Sequence, residues 1–166
     1  ALPISAISIA PYVVCIYVRK YNMPIRYLHI EASSYCNARC PGCPRNAYGY
    51  PLEGFYKQAH LQPSRLREIL QEFPDVKSIL YCGNHGDPMM SPYIVALCPD
   101  NIEVSIATNG GIGRISDYEQ LARKKVQITF GIDGLQDTNH LYRQGVVWNN
   151  LMERVKAFIS AGGSAT

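Results

Sequence analysis

The chain has 166 residues, of which 47% are hydrophobic and 17% charged, and its formal net charge is +3. That length suits one domain with a sizeable core, and that balance excludes collagen-like, coiled-coil and disordered chains. The densest basic run, Arg123-Lys124-Lys125, reads as a solvated helix end, so no nucleic-acid partner is expected.

The first 18 residues are apolar, but they include Pro3 and Pro11 and lack a basic lead-in. Neither a membrane span nor a signal segment is expected from them. Residues 1–22 are read as irregular or upstream sequence, Met23 as the natural start, and residues 23–166 as the domain. Residues 25–32 alternate apolar and polar, as a strand does. A Gly/Pro-rich loop with three cysteines follows. Residues 63–73 open with Pro-Ser and put Leu66, Ile69, Leu70 and Phe73 on one helical face. Residues 76–82 form a second strand, with a Gly/Pro loop and a short helix or turn near 91–98 behind it. A third strand, 102–109, runs into a Gly-Gly turn. A helix over 115–125 is expected with Ser116 as its N-cap. A fourth strand spans 126–133, and a helix over 146–163 ends in glycines, as C-caps do. Beyond it a further strand is expected.

Strand and helix thus alternate four times. Such alternation implies parallel strands in a barrel or an open α/β sheet, with the site at the C-terminal ends of the strands. The loop after the first strand holds CNARCPGCPR, residues 36–45, with Cys36, Cys40 and Cys43 spaced C-x3-C-x2-C. Six cysteines in a chain of this length point to metal binding in a reducing compartment rather than to a disulfide framework. Cys15, Cys82 and Cys98 stand apart and read as small buried hydrophobes. A structural zinc site is closed by four ligands. Here a second Cys pair is missing, and no His lies at ligand spacing. Three thiolates from one loop suit three corners of a [4Fe-4S] cluster, with one iron left for a small ligand. Zinc and incidental thiols remain the alternatives at this point.

The cysteine spacing after the first strand of a β/α chain resembles the radical S-adenosylmethionine (radical SAM) superfamily, and CNARCPGCPR is similar to its SPASM or Twitch members. The resemblance implies a partial (β/α) barrel of about four βα units, drawn from a (β/α)6 core that continues beyond the C-terminus. It also implies that Cys36, Cys40 and Cys43 bind a [4Fe-4S] cluster whose open iron is chelated by SAM. Reductive cleavage of SAM would then give a 5′-deoxyadenosyl radical that takes hydrogen from a substrate. By the same likeness Gly86, Asp87 and Pro88 stand for a Gly-Glu-Pro segment that holds the SAM amino group. Thr108 and Asn109 match a Thr-Asn-Gly segment on the SAM side, and Asp133 matches a Ser-Ile-Asp-Gly segment in which Gly131 replaces the serine. Arg143 takes the place of an arginine that pairs with the SAM carboxylate. Gly42 stands where relatives carry a bulky residue near the adenine, and Tyr35 is a candidate to compensate. The resemblance further implies a flavodoxin- or ferredoxin-type electron donor, a peptide or small-molecule substrate, no membrane, and a cytoplasmic setting. A non-catalytic iron–sulfur or zinc-binding α/β module is the alternative. The electron-carrier version requires Cys82 or Cys98 as a fourth ligand.

Overall fold

The computed structural model describes residues 24–47, 50–51 and 58–166, with backbone only for 46–47 and 50–51. The expectations for residues 1–22, Met23 and Cys15 lie outside these. Strand β1 (Tyr27–Ile30) leads into the cysteine loop, and β2 (Asn46–Ala47) and β3 (Tyr50–Pro51) form a small antiparallel ladder after it. Helix α1 (Pro63–Glu72), β4 (Ser78–Tyr81), a 3₁₀ turn (Pro88–Met90), β5 (Glu103–Thr108) and α2 (Ile115–Arg123) follow. Strand β6 (Gln127–Phe130), the short α3 (Asn139–Tyr142) and α4 (Trp148–Ser160) complete the order.

The expected α/β architecture is present. β1, β4, β5 and β6 form one open parallel sheet in chain order, with Tyr27 beside Ser78, Ser78 beside Glu103, and Ser105 beside Gln127. Parallel neighbours need crossover connections: α1 lies between β1 and β4, the 3₁₀ turn and the turns behind it between β4 and β5, and α2 between β5 and β6. Each strand alternates. Leu28, Ile30, Ile79, Tyr81, Val104, Ile106, Ile128 and Phe130 are buried, in one core with Leu66, Ile69, Tyr118, Leu121, Leu151 and Phe158. Phe130 is its aromatic hub, with ring centroids 5.9 Å from Tyr118 and 6.1 Å from Phe158. Tyr81 reaches full burial because its hydroxyl donates to the Leu97 carbonyl at 2.6 Å. His29, Leu80, Ala107 and Thr129 point to the other face of the sheet, which stays open.

Two helix ends have the same physical form. Gly162 N–H bonds to Ile159 O and Gly163 N–H to Phe158 O, with Gly162 at φ +91°. Lys125 and Val126 do likewise to Ala122 and Leu121, with Lys125 at φ 59°. The N-terminus of α2 differs from expectation. Arg114 is its N-cap residue and Ser116 lies exposed inside the first turn, while Asp117 at that end pairs with Arg114 at 2.8 Å. A buried carboxylate near the helix dipole's positive end serves where a serine cap was expected. After α4 the chain returns beside β6: Thr166 N–H donates to Ile128 O, and Phe130 N–H to Thr166 O. An isolated parallel bridge pairs Ile128 with Ala165. Among the described residues no helix is long and apolar enough to cross a membrane.

Candidate functional site

All four strand-end loops meet around one cavity of about 530 Å³, within the usual range for small-ligand sites. Its floor is the open sheet face, from His29, Leu80, Ala107 and Thr129. Its walls take Cys36, Cys40 and Cys43 from the first loop, Gly86 and Asp87 from the second, Thr108 and Asn109 from the third, and Gly131 and Arg143 from the fourth.

The cysteine loop is held by its backbone. Ser34 N–H bonds to Ala59 O, Leu61 N–H to Ala32 O, Asp87 N–H to Tyr35 O at 2.7 Å, and Arg39 N–H to Gln144 O at 2.8 Å. Cys43 N–H closes a turn onto Cys40 O at 3.0 Å. The sulfurs meet N–H groups. Cys36 Sγ accepts from Ala38 N–H at 3.4 Å and from Asn109 Nδ2 at 3.6 Å, and Arg143 Nη1 lies 3.8 Å from Cys40 Sγ. Burial, followed by the charge of Asp87, pushes the Cys36 thiol up. The Ala38 N–H and the charge of Arg45 work the other way. Among the described residues no three Cys, His, Asp or Glu side chains converge to hold a single metal ion. Cys36, Cys40 and Cys43 nonetheless line one cavity, and thiols are the donor type an iron–sulfur cluster takes.

Asp87 joins two loops. It is buried, and its carboxylate accepts from Met89 N–H at 2.9 Å, Thr108 Oγ1 at 2.8 Å and Asn109 N–H at 2.8 Å. Burial raises its pKa, against those hydrogen bonds and the charge of Arg143. Gly86 has no room for a side chain, since a Cβ would fall 2.0 Å from Ser33 O. Pro88 is buried and starts the 3₁₀ turn, behind the cavity wall. Asn109 also donates to Asn37 Oδ1 at 3.0 Å, so the third loop is sewn to the cysteine loop.

Arg143 forms an ion pair with Asp133, both from the segment after β6. Burial works against its charge, and Asp133 and the Cys40 sulfur hold it charged. Asp133 braces the guanidinium and does not line the cavity itself. The missing side chain at Gly131 is what admits the arginine: a Cβ there would lie 2.5 Å from Arg143 Nη2. Tyr35 is not in the cavity. Its ring stacks on His60, with centroids 4.7 Å apart, and the aromatic beside Gly42 is Tyr142. Sequence reasoning missed Tyr142 and Asn37. The one available signal was the adjacency of Tyr142 to Arg143.

Of the isolated cysteines, Cys98 is buried away from the cavity, with its thiol donating to Ile94 O at 3.2 Å. Cys82 does line the cavity, and its thiol donates to Glu31 Oε1 at 3.0 Å. Burial raises Cys82 far above an ordinary thiol, and Glu31 adds to the shift; burial raises Glu31 as well. A fourth-ligand role for Cys82 would have to break this pair.

The family model of the Radical SAM superfamily matches residues 30–166. No curated protein matches the sequence. Among solved structures, native anSMEcpe with bound AdoMet superposes with a TM-score of 0.64 at 19% identity, over 86% of this chain and 43% of that one. SuiB of Streptococcus suis bound to S-adenosylmethionine gives a TM-score of 0.62 at 22% identity, over 86% of this chain and 31% of that one. BtrN in complex with AdoMet and 2-DOIA gives 0.51 at 14%, over 87% and 56%. The chain thus spans less than two thirds of the length of these structures, and the likeness extends to the fold. With the family model covering nearly all of the described sheet and every cavity loop, the chain belongs to the radical SAM superfamily.

Proposed function

We propose that this chain is the catalytic core of a radical SAM enzyme, in which Cys36, Cys40 and Cys43 hold a [4Fe-4S] cluster and S-adenosylmethionine occupies the adjoining cavity. One observation carries the reading: the three thiols of one loop line the same strand-end cavity as the Gly86-Asp87, Thr108-Asn109 and Arg143 segments. When bound and given one electron, such a cluster supplies reductive cleavage of SAM to methionine and a 5′-deoxyadenosyl radical that takes a hydrogen atom from substrate.

This chain's residues would then act by binding and orienting. The guanidinium of Arg143, braced by Asp133, offers a fork to the SAM carboxylate. The backbone around Gly86 offers carbonyls to the amino group. The carboxylate of Asp87 acts through Thr108 and Asn109, whose geometry it fixes. Tyr35 acts at one remove, through the carbonyl that receives the Asp87 N–H. The substrate is a peptide or small molecule, and the electron comes from a flavodoxin- or ferredoxin-type donor in a reducing, cytoplasmic setting. An auxiliary-cluster domain of SPASM or Twitch type belongs to the same reading.

The test is anaerobic reconstitution with iron and sulfide, dithionite reduction, addition of SAM, and an assay for 5′-deoxyadenosine. The expected result is product that disappears in Cys36→Ala, Cys40→Ala and Cys43→Ala. Zinc without iron or sulfide in anaerobically purified protein would overturn the reading in favour of a zinc module.

A further inference from the structure

We infer that Asn109 is a positioning residue of the cysteine site: its side-chain amide, locked in one orientation, donates to the Cys36 sulfur and makes the bound cluster easier to reduce. The inference rests on the reading that Cys36, Cys40 and Cys43 hold a [4Fe-4S] cluster. Its observation is a bond between two strand-end loops. Asn109 Nδ2 donates to Cys36 Sγ at 3.6 Å, across 73 positions of the chain.

The amide has one way to point. Its Oδ1 accepts from Gly111 N–H at 2.7 Å, so Nδ2 faces the cysteine loop. One of the two amide hydrogens goes to Asn37 Oδ1 at 3.0 Å, and the other is left for the sulfur. The backbone is held as well, by Asn109 N–H on Asp87 Oδ2 at 2.8 Å. Gly111 is what admits this close fit: a Cβ there would fall 2.9 Å from Asn109 Oδ1 and 2.8 Å from Asn37 Nδ2. Asn109 is 5% exposed, so water competes little for the bond.

Electrostatics gives the sign. A reduced cluster carries one more negative charge than an oxidised one, and its thiolates share that charge. An N–H aimed at a ligating sulfur stabilises it, which is why hydrogen bonds to the sulfurs set the potential of such clusters. Cys36 also accepts from Ala38 N–H at 3.4 Å, but that donor is backbone and survives any side-chain change. Asn109 is the donor a substitution can remove. It acts through Cys36, as outer partners act through the ligands they orient.

The experiment uses the full chain reconstituted with iron and sulfide. It is titrated anaerobically against redox mediators, and the reduced cluster is read by electron paramagnetic resonance. In Asn109→Leu the ratio of reduced to oxidised cluster at a fixed potential should fall about fivefold, where tenfold would be about 59 mV for one electron. Asn109→Asp keeps the acceptor for Gly111 N–H but exchanges the donor for a negative charge, and should fall further. Asn37→Ala cuts the tie between the loops and leaves the Asn109 donor, so its ratio should stay within about twofold of the parent. An unchanged ratio in Asn109→Leu overturns the inference. So does an equal fall in Asn37→Ala, which would assign the effect to the tie between the loops. Should the Asn109 variants fail to hold a cluster, the other two chains decide. With isotopically labelled asparagine side-chain nitrogen, pulsed resonance of the reduced cluster should show a nitrogen coupling in the parent and in Asn37→Ala, and its absence overturns the inference. A parent chain that takes up no cluster sinks the functional reading itself, and the inference with it.

Discussion

Replacing Asp87 tests whether the second and third loops are one mechanical unit. In Asp87→Ala three donors lose their acceptor: Met89 N–H, Thr108 Oγ1 and Asn109 N–H, held at 2.8 to 2.9 Å in the parent. An unsatisfied buried donor costs ~1–3 kcal/mol. The cavity is adjacent and lets water reach part of the gap, so the low end applies and the total is about 3–5 kcal/mol. Asp87→Asn keeps the shape and one acceptor oxygen, but turns an NH₂ toward a donor that had been satisfied. About 2 kcal/mol is expected for it. The assay is urea unfolding followed by circular dichroism, comparing midpoints at unchanged slope. The expected order of stability is parent, then Asp87→Asn, then Asp87→Ala. An Asp87→Ala chain within about 1 kcal/mol of the parent would refute the reasoning, because three stranded donors cannot be that cheap.

Two further outcomes follow from the packing. Gly86→Ala should destabilise the chain by about 2–4 kcal/mol in the same urea assay and weaken cluster retention, because its Cβ would sit 2.0 Å from the Ser33 carbonyl, where only backbone can yield. The buried thiols give a pH prediction. Burial pushes Cys98 up to about 12, so iodoacetamide at pH 8 should modify it roughly a thousandfold more slowly than an ordinary thiol. Its rate should climb tenfold per pH unit. The sign for stability is the same: the thiol form favours the fold below the ordinary thiol range, and that contribution is lost as pH rises toward about 12. Peptide mass mapping of folded protein checks it, and fast labelling of Cys98 at pH 8 would contradict its burial.

The fold was legible because its signals are periodic. Leu66 and Ile69 at helical spacing, and the alternation of Val104, Ile106 and Thr108, each state a face, and the structure buries those faces. Element ends were less legible. Ser116 has the chemistry of a cap, yet Asp117 engages that helix end through Arg114, a choice made by burial that no local pattern records. The cavity loops were legible by position, since each follows a strand. Their internal bonds were not. Asp87 read as a ligand for an ammonium, and the structure spends its carboxylate on Thr108 and Asn109, residues 21 and 22 positions away. Tyr35 read as a ring near the nucleoside because it is next to Cys36. A neighbour in sequence points either way off an irregular loop, and here it points to His60.

Gly131 and Arg143 show how a departure from pattern becomes a consequence of packing. Taken singly, Gly131 is a glycine where the family resemblance implies a serine, and Arg143 is a distant arginine. In space they are one feature, for the guanidinium fills the volume that a side chain at 131 would claim, with Nη2 2.5 Å from the position of its Cβ. That seat brings Nη1 to 3.8 Å from Cys40 Sγ and leaves Nε paired with Asp133. An arginine carries five N–H donors. The bonds to Asp133 and the Cys40 sulfur engage two of them, and the same fork lines the cavity with the others available to an anion. Residue 143 thus places a charged group in the space beside position 131. A serine returned to position 131 would have to displace the guanidinium from the sulfur before it could reach any ligand. The glycine thus leaves the space the guanidinium occupies, and the arginine seated there links the thiol loop to the fourth strand end.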